Sequence, residues 1–142
     1  MEVSEHGIQF ICQFEGCRLQ SYQDSVGVWT VGYGSTTDVE PGMIITMAEA
    51  EDRLKNDLKA AVNCVNKLVT VPLTQNEFDS LVSWTYNLGC GTLRKSKVLE
   101  YLNDSNYDFA AQHMRLYDKA GGQVIAGLTK RRMQETRLFE SA

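Results

Sequence analysis

Apolar residues in this chain follow two different periods, and the point where the period changes constrains the fold more than any single residue does. From Leu19 to about Ser35 the sequence falls into two short β-favouring runs, LQSYQ and VWTVGYG. Between them Asp24-Ser25-Val26-Gly27 reads as a β-turn in which glycine supplies the difficult dihedral. Outside this stretch the apolar residues recur at helical spacing. The expectation is a single two-stranded hairpin in a helical chain. Such a hairpin is marginal alone and must lean on something helical or gain a third strand.

The helices announce their ends. Ser4 caps a short one carrying Ile8, Ile11, Cys12 and Phe14, and Gly16 is placed as its stop, which puts Glu15 at a helix end. Pro41-Gly42 closes the β segment, and Thr46-Met47-Ala48-Glu49 then has the form of a capping box. Behind it Leu54, Leu58, Val62 and Val65 form one apolar stripe, while the early acids Glu49, Glu51 and Asp52 suit the positive end of the helix dipole. A second box, Thr74-Gln75-Asn76-Glu77, opens a helix carrying Phe78, Leu81, Val82 and Tyr86, which Gly89-Cys90-Gly91 ends. The remainder reads as three shorter helices, around Ser96 to Leu102, Tyr107 to Tyr117 and Leu128 to Phe139, with Gly121-Gly122 as a flexible joint between the last two.

Composition bounds the function classes. At 142 residues the chain is one domain long and needs no metal or disulfide to fold. A formal charge of -4 argues against a protein that lives by neutralising phosphates, so nucleic acid is not an expected partner. No apolar run approaches the roughly 20 residues that span a bilayer, and MEVSEHGIQF carries acids where an export signal wants Lys or Arg. Cys12, Cys17, Cys64 and Cys90 contain no C-x-x-C, and with His6 and His113 as the two histidines a zinc site would have to recruit distant ligands. No metal or cofactor is expected, and the cysteines read as buried or half-buried free thiols.

The densest local chemistry lies between Phe14 and Ser35, with a carboxylate at a helix end, another in the hairpin turn, and Thr30 in the second strand. Paired carboxylates with unequal surroundings are what glycoside hydrolysis needs, one protonated for the leaving oxygen and one ionised to organise water or attack. Spacing alone leaves the bland reading, two surface acids and a strand threonine, well ahead.

FEGCRLQSYQDSVGVWTVGYGST, however, resembles the active-site signature of phage-type lysozymes, the T4-like and lambdoid endolysins of glycoside hydrolase family 24. PGMIITMAEAEDRL, VPLTQNEFDSLVSWTYNLGCGTLRKS and AGGQVIAGLTKRRMQETRLF continue the resemblance in order, so that it covers nearly the whole chain. It implies an α+β, lysozyme-like, two-lobed fold in one catalytic domain over residues 1–142. A β-rich lobe is expected at about 15–45, a connecting helix at about 46–68 and a helical lobe at about 69–142, with a cleft between the lobes. It also implies a peptidoglycan muramidase that cuts the β-1,4 bond between N-acetylmuramic acid and N-acetylglucosamine. The family's proton donor falls on Glu15, its acidic water-positioning residue on Asp24 and the hydroxyl partner on Thr30.

Gly32, Tyr33, Asn87, Gly121 and Gly122 are the expected substrate contacts, and Arg131 and Arg132 stand in a family motif that would place a supporting cation near Glu15. Ser35 occupies a position where some members carry a histidine supporting the site, so any such support must differ here. The resemblance implies a monomer made in the host cytoplasm, acting in the periplasm or wall after release, with access through a holin and without stable membrane insertion. Inverting hydrolysis would require carboxyl groups roughly 6.5 to 9.5 Å apart.

Three other readings remain beside this one. A lytic transglycosylase cuts the same bond without adding water, but it needs no water-holding pair such as Asp24 and Thr30. A wall-peptide hydrolase would pair a cysteine with His6 or His113, and a binding module would keep the cleft without the chemistry. Cys12 and Cys17 flank Glu15. On a continuous helix residues so spaced point about 140° apart, so a disulfide between them requires the helix to end by Gly16.

Overall fold

The computed structural model describes residues 1–141. In chain order the elements are α1 (Glu5–Cys12), β1 (Arg18–Gln23), β2 (Trp29–Gly32), α2 (Met47–Leu68), α3 (Gln75–Leu88), α4 (Cys90–Lys95), α5 (Lys97–Asn103), α6 (Tyr107–Met114), β3 (Lys119–Ala120), β4 (Gln123–Val124) and α7 (Ala126–Glu140). This is the expected mostly helical α+β architecture with one small hairpin near the N-terminus. The residues group into two compact units, one of Ile8–Lys59 and one of Met1–Gly7 together with the chain from Ala60 onward. The chain passes from the first to the second within α2.

In the unit of Ile8–Lys59, β1 and β2 pair antiparallel with Tyr22 opposite Thr30 and Gln23 opposite Trp29. The turn is the one the sequence signals: Gly27 donates to Asp24 O at 3.0 Å and takes φ +89. The free edge of β1 is covered by the segment before α2 through a single bridge rather than by a third strand. Ser21 N donates to Met43 O and Ile45 N to Leu19 O, both at 2.8 Å, which brackets a Gln20–Ile44 bridge. Directly after it α2 begins on its capping box, with Glu49 N to Thr46 Oγ1 at 3.1 Å and Thr46 N to Glu49 Oε1 at 3.2 Å. Ala50, Leu54 and Leu58 bury the α2 face. A Cβ at Gly32 would sit 3.3 Å from Ala50 Cβ, so glycine there permits both the close approach and the φ of +66.

In the other unit α3 runs through the core, with every residue from Phe78 to Thr85 buried. A helix sunk this deeply must bond its polar side chains internally, and among the described residues Thr85 Oγ1 is the buried side-chain atom left without a partner. Asp79 accepts from Ser4 N at 3.0 Å, from the Ser4 hydroxyl and from Gln75 Nε2 at 2.8 Å, while Ser83 donates to Glu135 Oε2 at 2.6 Å and Trp84 Nε1 to Met114 O at 3.2 Å. The Thr74 capping box forms as its sequence foretells, and α3 stops at Gly89. Ser4 does cap the first helix, accepting from Gly7 N at 3.0 Å.

Four local expectations need correction. The first helix ends at Cys12 rather than at Gly16, leaving Glu15 in the turn beyond it. The stretch from Gly89 holds a further short helix, α4, which Ser96 ends before capping α5 through a bond from Leu99 N at 3.1 Å. Gly121-Gly122 is not a flexible joint. With φ of +60 and +80 the two glycines form the two-residue turn of a small hairpin, β3–β4, because both central positions of such a turn require positive φ. Finally, Cys64 and Cys90 are not free thiols; they form a disulfide across 26 residues with a Cα–Cα distance of 5.9 Å, tying α2 to α4. Cys12 and Cys17 remain thiols. Among the described residues no helix is long and apolar enough to cross a membrane.

Candidate active site

Glu15, Asp24 and Thr30 all belong to the unit of Ile8–Lys59. Glu15 is carried on a continuation of α1, in which Phe14 N donates to Ile11 O at 3.0 Å and Glu15 N to Cys12 O at 3.2 Å. The Phe10 and Phe14 rings meet edge to face, 5.1 Å between centroids, which steadies this turn. The Glu15 side chain is half-buried.

Asp24 is fixed by its own turn. Its Oδ1 accepts from Val26 N at 2.9 Å and Val28 N at 2.8 Å, while its backbone N–H donates to Val28 O at 2.9 Å. This is the local bonding that makes aspartate a turn former, and it leaves Oδ2 without a partner among the described residues. Thr30, buried on β2, donates its hydroxyl proton to the same Val28 O at 3.0 Å. The peptide groups of Val28 therefore tether both side chains, one through N–H and one through C=O. With its proton committed, the Thr30 oxygen keeps lone pairs to accept. One free carboxylate oxygen and one accepting hydroxyl are what a water molecule needs in order to be held by both of its hydrogens.

Tyr33, at the hairpin end, is 7% exposed, and its phenol is pushed up to about 12, first by burial and then by the neighbouring Cys12 thiol. Ser35, in the position of the family histidine, pairs with Val31 through reciprocal backbone bonds of 2.9 and 3.0 Å. Its hydroxyl bonds Asp57 of α2, whose carboxyl is nonetheless pushed up by burial against the opposing pull of that bond and of Arg53. Arg53 clamps the following loop, donating to Thr37 O at 2.6 Å and Asp38 O at 3.3 Å. A cavity of about 490 Å³ opens beside these groups, and its lining contains none of Glu15, Asp24 and Thr30. Ser35 is thus held from α2, by Asp57 and by Arg53 Nη1 at 3.5 Å, two residues four apart on one helix face.

Arg131 and Arg132 are buried in the other unit, around a carboxylate the sequence reading passed over. Glu135, fully buried, accepts from Arg131 Nε at 3.2 Å and from Arg132 Nη1. Arg131 also donates to Ser83 O at 3.2 Å, and Arg132 donates to Tyr117 O at 2.8 Å and to Asn87 Oδ1. Burial lowers the Arg132 pKa, and Glu135 partly offsets it. RRMQE places Glu135 one helical turn after both arginines, so the cluster was readable from spacing. Gly121 and Gly122 lie exposed at the β3–β4 turn.

A family model for phage lysozyme matches residues 12–135. The endolysin of Bacillus phage PZA is 44% identical over 144 residues, aligning with 99% of this chain and 56% of its own length. The chain spans about half the length of the Bacillus phage endolysins it matches. The crystal structure of a mutant of the P22 lysozyme superposes with a TM-score of 0.93 at 39% identity, covering 99% of both chains. The muramidase domain of SpmX from Asticaccaulis excentricus does so with a TM-score of 0.91 at 39% identity, again over 99% of each. Agreement of sequence and fold over this length has one reading: the chain belongs to the phage lysozyme family.

Proposed function

We propose that this chain is the catalytic part of an endolysin that hydrolyses the β-1,4 bond between N-acetylmuramic acid and N-acetylglucosamine in bacterial peptidoglycan. The observation that carries the reading is the shared tether of Asp24 and Thr30 on Val28, in a chain of the phage lysozyme family.

Glu15 donates its proton to the glycosidic oxygen as the bond from C1 to that oxygen breaks. A water held by Asp24 Oδ2 and Thr30 Oγ1 attacks C1 from the opposite face, and its proton passes to Asp24. One carboxyl group has then lost a proton and the other has gained one, and exchange with solvent restores the starting state. Attack from the far face inverts the anomeric centre, so a β linkage gives an α product. No cofactor enters these steps.

In this reading the enzyme is a monomer made in the host cytoplasm, reaching the wall after a holin opens the membrane. Two relatives are named SAR-endolysins, and export of this kind is the other route to the same substrate.

Purified peptidoglycan digested in 18O-water tests the chemistry. The expected products are reducing ends carrying one added water, α at first release, with Glu15→Gln losing at least about 100-fold in rate. Anhydro ends, free peptides or a β first product would overturn the mechanism, as would full activity of the Glu15→Gln variant.

A further inference from the structure

Sulfur gathers beside the turn that carries Glu15. Cys17, just before β1, bonds through Sγ to Sδ of Met47, the first residue of α2, at 3.9 Å. The Tyr33 phenol shares a hydrogen bond with Cys12, the last residue of α1, and lies in the electrostatic field of Cys17 as well, so both thiols bear on one side chain. All four residues belong to the unit of Ile8–Lys59. Neither thiol is in a disulfide; both are half-buried and Met47 is exposed, so an ion can reach them from solvent. Cysteine and methionine that merely fill a core are sealed from water, and these are not. Bonds from a first-row metal ion to sulfur are about 2.3 Å, as for zinc, so two sulfurs around a three-coordinate ion lie about 4 Å apart. Cys17 and Met47 already have that separation.

We infer that Cys12, Cys17 and Met47 bind one Cu(I) ion as three sulfur ligands. Thiolate and thioether sulfur together select this soft ion, whereas harder ions take carboxylate, carbonyl and water oxygen. Among the described residues no group of three or more histidines, cysteines and acids converges as a metal site, so those ions have no ligand set of their own here. On binding, Cys12 and Cys17 each release a thiol proton to solvent and Met47 adds a neutral lone pair. Two thiolates around a monovalent cation leave a single negative charge, which the half-buried site can keep solvated. The ring closed from Cys12 through the ion to Cys17 contains Glu15.

The test is an anaerobic titration of the intact protein, its Cys64–Cys90 bond closed, with Cu(I) against a chromogenic copper chelator. A thiol count beforehand should find Cys12 and Cys17 free. The expected result is one ion per chain, a thiolate-to-copper absorption in the ultraviolet, and an X-ray absorption spectrum with three sulfur neighbours at about 2.3 Å. Cys12→Ser and Cys17→Ser should each weaken binding at least about 100-fold, more than the loss of an outer-shell partner does. Met47→Leu keeps the shape of an exposed residue and leaves the fold intact. It should weaken binding about tenfold and leave two sulfur neighbours in place of three. Zn(II) at equal concentration should not displace the copper. Absence of stoichiometric binding, parent affinity in the Cys12→Ser/Cys17→Ser variant, three sulfur neighbours surviving in Met47→Leu, or displacement by Zn(II) would each overturn the assignment.

Discussion

Reducing the Cys64–Cys90 bond should lower stability by an amount that follows from where it sits in the chain. The bond closes a loop of 26 residues. In the chain-entropy account, closing a loop of that length removes about 12 cal/mol/K from the unfolded ensemble, or about 3.5 kcal/mol at 25 °C. Unfolding entropy near the midpoint is about 2.1 cal/mol/K per residue, so over the whole chain that loss corresponds to a fall in Tm of about 12 °C. Thermal unfolding followed by circular dichroism with and without a phosphine reductant measures it. A Cys64→Ala/Cys90→Ala variant should melt near the reduced parent and no longer respond to reductant. Because the bond and the residues Glu15, Asp24 and Thr30 fall in different compact units, hydrolysis at 25 °C should change less than about twofold on reduction. A reductant-induced shift below about 2 °C would refute the entropic reasoning. A shift that survives in the double variant would place the sensitive bond at Cys12 and Cys17 instead.

Gly7 packs its bare Cα side against a carboxylate that cannot retreat: a Cβ there would lie 2.5 Å from Asp79 Cγ, and Asp79 is held by Ser4 and Gln75. Gly7→Ala should therefore cost about 2 kcal/mol by denaturant unfolding, whereas Gly91→Ala, in α4 with nothing within 4 Å, should be neutral or stabilising by up to about 1 kcal/mol; equal effects would undo the steric account. Asp57 carries a carboxyl pushed up by burial, so the native state binds its proton more tightly than the unfolded chain. Stability attributable to Asp57 is then present at low pH and lost as pH rises from the ordinary carboxylate range through the raised value. Asp57→Asn should melt at or above the parent at pH 7, with the gap closing toward pH 4, and a lower Tm at pH 7 would show that the Arg53 attraction outweighs desolvation.

The parts of the fold legible in the sequence were those whose signals are local. Thr46 and Thr74 each satisfy helix N–H groups through residues three positions away, and Asp24 and Gly27 close their turn within four residues, so sequence spacing and spatial proximity coincide. The disulfide escaped because four cysteines allow several pairings, and proximity of Cys64 to Cys90 depends on how α2 and α4 pack. The short helix α4 escaped for a different reason: Gly89 and Gly91 read as a stop and six residues are too few to show a helical period, whereas the start expected around Ser96 is there, with Ser96 accepting from Leu99 N. Gly121-Gly122 carried the right signal, two residues tolerant of positive φ, but the flanking strands are two residues each, too short to show alternation.

The candidate site shows the same division more sharply. Its side chains are visible in the sequence because they are acids and a threonine, but what sets their separation is the backbone of Val28, and a backbone group has no residue identity to read. Val28 itself could be many residues without disturbing those bonds. Val26, at the tip of the same turn, is 80% exposed and contributes its N–H rather than its side chain. What the arrangement cannot absorb is a change in length between Asp24 and Thr30. One added residue would shift the Val28 amide away from the carboxylate and turn Thr30 to the other face of β2, since side chains alternate along a strand. The site is therefore specified less by which residues fill the hairpin than by how many there are.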